Sequence, residues 1–154
     1  SRPLTLENMD TLTSRGLTVG NAEELFIGQG IRTSLETNGP DLLTKEAVCL
    51  KASCGVGHLD SIFRGLARID LEKPAPSFEP IREQLEEMED RESLCTIFFS
   101  ADARPEFQQL LEKFRKEKRE FIWFCPVNRI VRPEINAGIR PYTRLIDVEE
   151  GERL

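Results

Sequence analysis

The sequence predicts an α/β (or α+β) fold: a mixed β-sheet with a C-terminal β-α-β crossover and flanking helices. Three observations carry this reading. "LCTIFFS" (Leu94–Ser100) is a continuous apolar run of the kind a central strand shows when both its faces are covered. "ADARPEFQQLLEKFRKEKR" follows it, with Phe107, Leu110, Leu111 and Phe114 spaced i, i+3, i+4, i+7 on one helical face. "FIWFCPV" (Phe121–Val127) is a second apolar run, ended by a proline. Strand, helix and strand joined by short links predict a crossover and a parallel pair.

The helix spans Arg104–Lys118 in this reading. Pro105 and Glu106 stand in its first turn, where a missing N–H and a negative charge are both tolerated. Lys and Arg crowd its last turn, which suits the macrodipole. "YTRLIDV" (Tyr142–Val148) reads as a final strand and "EEGERL" as its exit.

Upstream, "AVCLKASC" (Ala47–Cys54) alternates Val48, Leu50, Ala52 and Cys54 and reads as a half-buried strand. "GVGHLDS" reads as a loop, though "LDSIF" could turn once as a helix. "LARIDL" (Leu66–Leu71) reads as the next strand, pairing with the first as a hairpin. The prolines of "EKPAPSFEP" mark a turn, and Ile81, Leu85 and Met88 mark a narrow stripe on the helix that follows. "NAEELF" is read as a short helix capped by its Asn. Residues 1–44 are punctuated by glycines and read as a helical or irregular arm that packs on an α/β domain of residues 45–154.

From Cys95 onward three segments follow one another: "IFFSAD", the helix with "FIWFCPV", and "AGIRPYTRLIDVEEGE". Their order resembles a thioredoxin-like half-domain. The first resembles the strand leading to that family's redox site, the second its next crossover, and the third the segment with its cis-proline, a strand and a Gly turn. The family's C-x-x-C is absent after Asp102, Pro141 sits two positions early, and the sequence ends before the family's last strand and helix. The resemblance therefore implies a fold and no activity.

Composition sets the class. Of 154 residues, 39% are hydrophobic and 31% charged, which fits a globular chain rather than a disordered one. No apolar run approaches the roughly 20 residues that span a bilayer, and "SRPLTLENMDTL" lacks the apolar centre of a secretory signal, so no membrane partner is expected. The four cysteines form no C-x-x-C pair, which argues against a zinc ribbon or a dithiol motif. Cys95 and Cys125 lie in apolar runs. Buried, reduced thiols in a cytoplasmic or nuclear protein are the expectation, with no disulfide between Cys49 and Cys54.

Candidate chemistry is sparse. His58, the single histidine, could pair with Cys49 or Cys54 as a nucleophile and base, but no nucleophile elbow surrounds either thiol. "GVGH" lacks the third glycine of a dinucleotide fingerprint. Asp102 follows a central strand, where α/β enzymes place site residues, yet it equally reads as a helix cap. Asp70 and Asp147 close other strands, and their spacing demands no metal. No cofactor or metal is expected.

Charge is the more informative signal. The chain carries a net −6, but residues 113–144 hold nine basic residues against three acidic ones. The remainder holds 12 basic and 24 acidic. The acidic counterpart is concentrated in "EQLEEMEDRE" (Glu83–Glu92). Lys116, Lys118, Arg119, Arg129, Arg132 and Arg140 are the binding candidates. The leading expectation is a non-catalytic regulatory or adaptor domain that binds another protein. The alternatives are a nucleic-acid-binding domain using the basic 113–144 region, and a small α/β enzyme with Asp102 or His58 in its site.

Overall fold

The computed structural model describes residues 2–73, 77–87 and 95–148. The chain divides into two compact units, Pro3–Met88 and Glu89–Leu154. The α/β class holds, and the parallel and antiparallel pairings fall in separate sheets.

The first unit opens with two helices, α1 (Leu6–Arg15) and α2 (Val19–Gly28). Each starts at a threonine. Thr5 Oγ1 accepts from the Asn8 amide and Thr18 Oγ1 from the Asn21 amide, satisfying donors that have no partner inside the helix. The cap of α2 is thus Thr18. Asn21, the expected cap, lies within the first turn and donates its side-chain amide to the carbonyls of Arg15 and Gly16.

Strand β1 (Thr33–Pro40) pairs antiparallel with β2 (Ala47–Ser53), with Leu35 opposite Leu50 and Glu36 opposite Cys49. The partner of β2 is therefore β1 and not Leu66–Leu71. Residues 56–67 are helix α3 (Val56–Ala67): the single helical turn that "LDSIF" suggests extends over the expected loop and into the expected strand. The reason is visible in hindsight: Leu59, Ile62 and Leu66 form an i, i+3, i+7 stripe, and the flanking glycines masked it. Gly55 takes the N-cap with φ of 92°, a left-handed conformation that favours glycine. Only an isolated antiparallel bridge between Asp41 and Ile69 remains of the expected second strand.

Ile27, Leu35, Val48 and Ile62 form the core of this unit, with Leu59 and Leu66 against it. Gly65 lets α3 approach β2 closely, since a Cβ there would meet Val48 Cγ1 at 3.0 Å. Helix α4 (Glu79–Glu87) completes the unit, with Leu85 buried.

The second unit is the predicted crossover. Strand β3 (Thr96–Phe99), helix α5 (Pro105–Lys116) and strand β4 (Phe121–Asn128) follow in order, and β3 pairs parallel with β4. Leu94, the expected start of the first strand, lies outside the described residues. Strand β5 (Thr143–Val148) adds parallel to the other side of β4, giving the order β3-β4-β5. A parallel neighbour cannot be reached by a tight turn. Residues 129–142 make that return, ending in a single 3-10 turn at Arg140–Tyr142.

Phe107, Leu110, Leu111 and Phe114 of α5 are all buried, as the spacing predicts. They meet an aromatic cluster from the sheet. Phe98 packs edge-on against Phe107 and Phe114, and Phe107 against Trp123. Trp123 and Phe124 point to opposite faces of β4 and both are fully buried, so β4 is covered on both sides. The Trp123 indole N–H donates to the Ser100 carbonyl at 2.8 Å.

All four cysteines are free thiols. Cys125 is buried as expected. Cys95 is only half-buried, because it lies just before β3 begins. Burial, then the nearby Glu120 carboxylate, pushes the Cys95 thiol up to about 12. Burial also raises Cys125 to about 11, with Asp102 adding to the effect.

Candidate functional site

The return loop 129–142 and β5 together line a surface cleft of the second unit. Asn128 ends β4 and its Oδ1 accepts from the Ile130 amide at 2.7 Å, which turns the chain. The loop is then pinned. Ile135 and Ile139 are buried. Gln108 of α5, itself buried, donates its Nε2 to the carbonyls of Ala103 and Glu134 and accepts from the Asn136 amide on Oε1. Gly138 passes Glu112 so closely that a Cβ would lie 2.7 Å from Oε1. Thr143 Oγ1 donates to the Ile139 carbonyl, tying the loop to the start of β5.

This anchoring leaves one corner outside. Ile130 is 90% exposed and Val131 74% exposed, flanked by Arg129 and Arg132. Arg132 reaches back to β5 and pairs with Asp147 at 2.6 Å. Beside it lies a cleft of about 240 Å³, lined by Arg132, Pro133, Ile135, Arg140, Thr143 and Leu145. Thr143, Leu145 and Asp147 are alternate residues of β5 and so share this face. The lining combines apolar Pro133, Ile135 and Leu145 with two arginines. Arg140 donates to the Ile135 carbonyl at 3.0 Å, which fixes its position.

The six basic candidates do not form one group. Arg129 and Arg132 follow the carboxyl end of β4, and Arg132 joins Arg140 around the cleft. Lys116, Lys118 and Arg119 precede the amino end of β4, so eight residues of strand, roughly 25 Å, separate them from Arg129. Lys116 is the last residue of α5 and is exposed. Lys118 has a φ of 58°, and it and Arg119 close α5 by bonding back to the carbonyls of Arg115 and Phe114. The Arg119 guanidinium lies 3.8 Å from the Phe114 ring centroid and its side chain is only 9% exposed, so it acts as packing.

The enzyme candidates take local partners. Asp102 is not the cap of α5, which is Arg104. It lies two residues earlier and accepts from the Arg104 amide and from its Nε and Nη2. Hydrogen bonding by Arg104 holds the Asp102 carboxyl below its ordinary range. His58 Nε2 donates to the Thr33 carbonyl at 2.8 Å. The Thr33 hydroxyl donates in turn to Glu23 at 2.6 Å. Burial raises the Glu23 carboxyl above its ordinary value despite that bond, and the nearby Glu36 adds to the effect while His58 opposes it. Asp70 accepts from the Glu72 amide and Asp147 pairs with Arg132. Among the described residues no three His, Cys, Asp or Glu side chains converge as a metal would require. No described helix is long and apolar enough to cross a membrane.

Sequence reasoning placed Arg129, Arg132 and Arg140 among its candidates and missed Ile130, Val131, Leu145 and Gln108. The apolar pair in "NRIVRP" between two arginines was the available signal, since short apolar residues in a proline-punctuated loop have no strand or helix to bury them. Comparison with protein-family models, curated proteins and solved structures finds no match to this chain.

Proposed function

We propose that the chain is a non-catalytic interaction domain, of regulatory or adaptor type, that binds another protein through the 129–142 loop and the adjoining face of β5. The observation that supports this is the exposed Ile130–Val131 corner on a loop anchored downstream by Gln108, Ile135 and Ile139. Exposed apolar side chains offer area that a partner can bury, and a few desolvated anchors carry most of an interface's energy. The flanking arginines supply orientation and encounter rate rather than most of the affinity.

The test is a photo-crosslinking side chain placed at position 130 in one variant and at position 116 in another. Discrete protein adducts from position 130 and none from position 116 are expected. Adducts from position 116 alone would overturn the assignment. Against the nucleic-acid reading stands the placement of the cations at opposite ends of β4, which does not favour one phosphate track. Titration of mixed-sequence RNA and DNA at about 0.15 M salt checks it. Sub-micromolar binding lost on reversing Arg129, Arg132 and Arg140 would promote that reading over ours.

A further inference from the structure

Resting on the reading above, we infer that the ligand of the cleft is an extended acidic peptide segment that joins β5 as an added strand, with an apolar residue and, two positions on, an Asp or Glu. Three features of the second unit converge on this. The first is the sheet edge. β5 has β4 on one side, and among the described residues no strand lies on the other. In a parallel ladder alternate residues of an edge strand direct their N–H and C=O groups outward, a ready template for another chain.

The second is the size and lining of the cleft. A volume of about 240 Å³ accommodates one large side chain rather than a cofactor. Pro133, Ile135 and Leu145 form an apolar seat for it, and Leu145 is 40% exposed and available for contact. The third is charge. Arg132 and Arg140 present two guanidinium groups on the same face as Thr143, Leu145 and Asp147, against the one carboxylate of Asp147. The Arg132–Asp147 pair is exposed on both sides, so a competing carboxylate can replace Asp147 at little cost.

The geometry of a strand then sets the spacing. Residues two apart share a face, so with the added strand running parallel to β5, as β4 does, the apolar anchor over Leu145 and the acid that reaches Arg132 stand at i and i+2 of the ligand. Ile130 and Val131 directly precede Arg132 in the chain and are exposed, so a ligand longer than the cleft has further apolar surface within reach.

Phage-displayed random octapeptides selected on the whole chain test this, followed by fluorescence polarisation with a synthetic peptide of the enriched sequence. An apolar residue with Asp or Glu two positions on should be enriched. Arg132→Glu should weaken the synthetic peptide by about tenfold or more, as loss of a charge-assisted pair does. Asp147→Asn should tighten binding, because it removes the competitor for Arg132; a merely structural pair would not give that sign. N-methylation of peptide amides should weaken binding at alternate positions only. Circular dichroism of each variant shows whether it is folded, and Leu145→Arg, at an exposed position, provides an independent block. Failure to enrich such peptides, enrichment of basic residues at i+2, N-methylation effects without alternation, or dimerisation of the chain through β5 would each overturn the inference. If position 130 still yields protein adducts in that case, the interaction reading survives; if it yields none, both fall.

Discussion

Gln108 is a polar side chain on the buried face of an apolar helix, only 3% exposed, and all its bonding capacity in view is spent on backbone. Truncation leaves two carbonyls and one amide without this partner in a part-buried site. Gln108→Ala should therefore cost about 1–3 kcal/mol, more than an exposed glutamine, because unmet buried groups carry a desolvation penalty. Faster hydrogen exchange of the Asn136 amide would locate the loss in the return loop. Lys118 gives the opposite sign. It occupies the left-handed position that glycine favours at a helix end, with φ of 58°. Lys118→Gly should raise stability by about 0.5–1 kcal/mol, the relief of the left-handed penalty less the added freedom of the unfolded chain. A urea midpoint that falls instead would show that the lysine side chain itself stabilises the turn.

Glu23 supplies a pH dependence at the same scale. Burial raises its folded-state value above the ordinary 4.5, so the folded chain holds this proton more tightly than the unfolded chain. The group is therefore least unfavourable to folding below about pH 4.5, and its penalty grows as pH rises through the raised value. Glu23→Gln keeps an acceptor for the Thr33 hydroxyl and removes the charge. Its thermal midpoint should exceed that of the native sequence at neutral pH, and the gap should close as pH falls toward 4.5. A gap independent of pH would show that the effect is packing and not ionisation.

At the scale of elements, α5 and its two strands explain each other. Phe114 is 1% exposed, packs edge-on against Phe98 and Phe121, and supports the Arg119 guanidinium. Phe114→Ala should cost about 3–5 kcal/mol, as truncation of a buried aromatic does; a loss below about 1 kcal/mol would mean that this face is not the core. This element was legible because its period is unbroken and its neighbours are apolar throughout. The first unit was legible only in part. β2 shows its alternation, but β1 buries only Leu35 and carries Asn38, Gly39 and Pro40, so its pattern resembles a loop. α3 was hidden by Gly55 and Gly57, whose turn-like local chemistry outweighed the Leu59, Ile62, Leu66 stripe. The candidate site was half legible for a related reason. Its arginines stand out in any charge count, whereas the exposure of Ile130 and Val131 follows from how Gln108, Ile135 and Ile139 pin the loop, which no local pattern states.

At the scale of the molecule, the basic region of residues 113–144 resolves into two places with different duties. The cluster after α5 closes a helix and packs on Phe114. The cluster after β4 lies beside an exposed apolar pair and a cleft at β5, which has a strand on one side only among the described residues. The central claim is that apolar contact at this corner, rather than the charge beside it, carries recognition. The most direct measurement is the yield of protein adduct from a photo-crosslinker at position 131, compared across Ile130→Asp and Arg129→Glu. Ile130→Asp should lower that yield by about tenfold or more, as loss of an interface anchor does, and Arg129→Glu should leave most of it. A yield that survives Ile130→Asp and vanishes with Arg129→Glu would contradict the account.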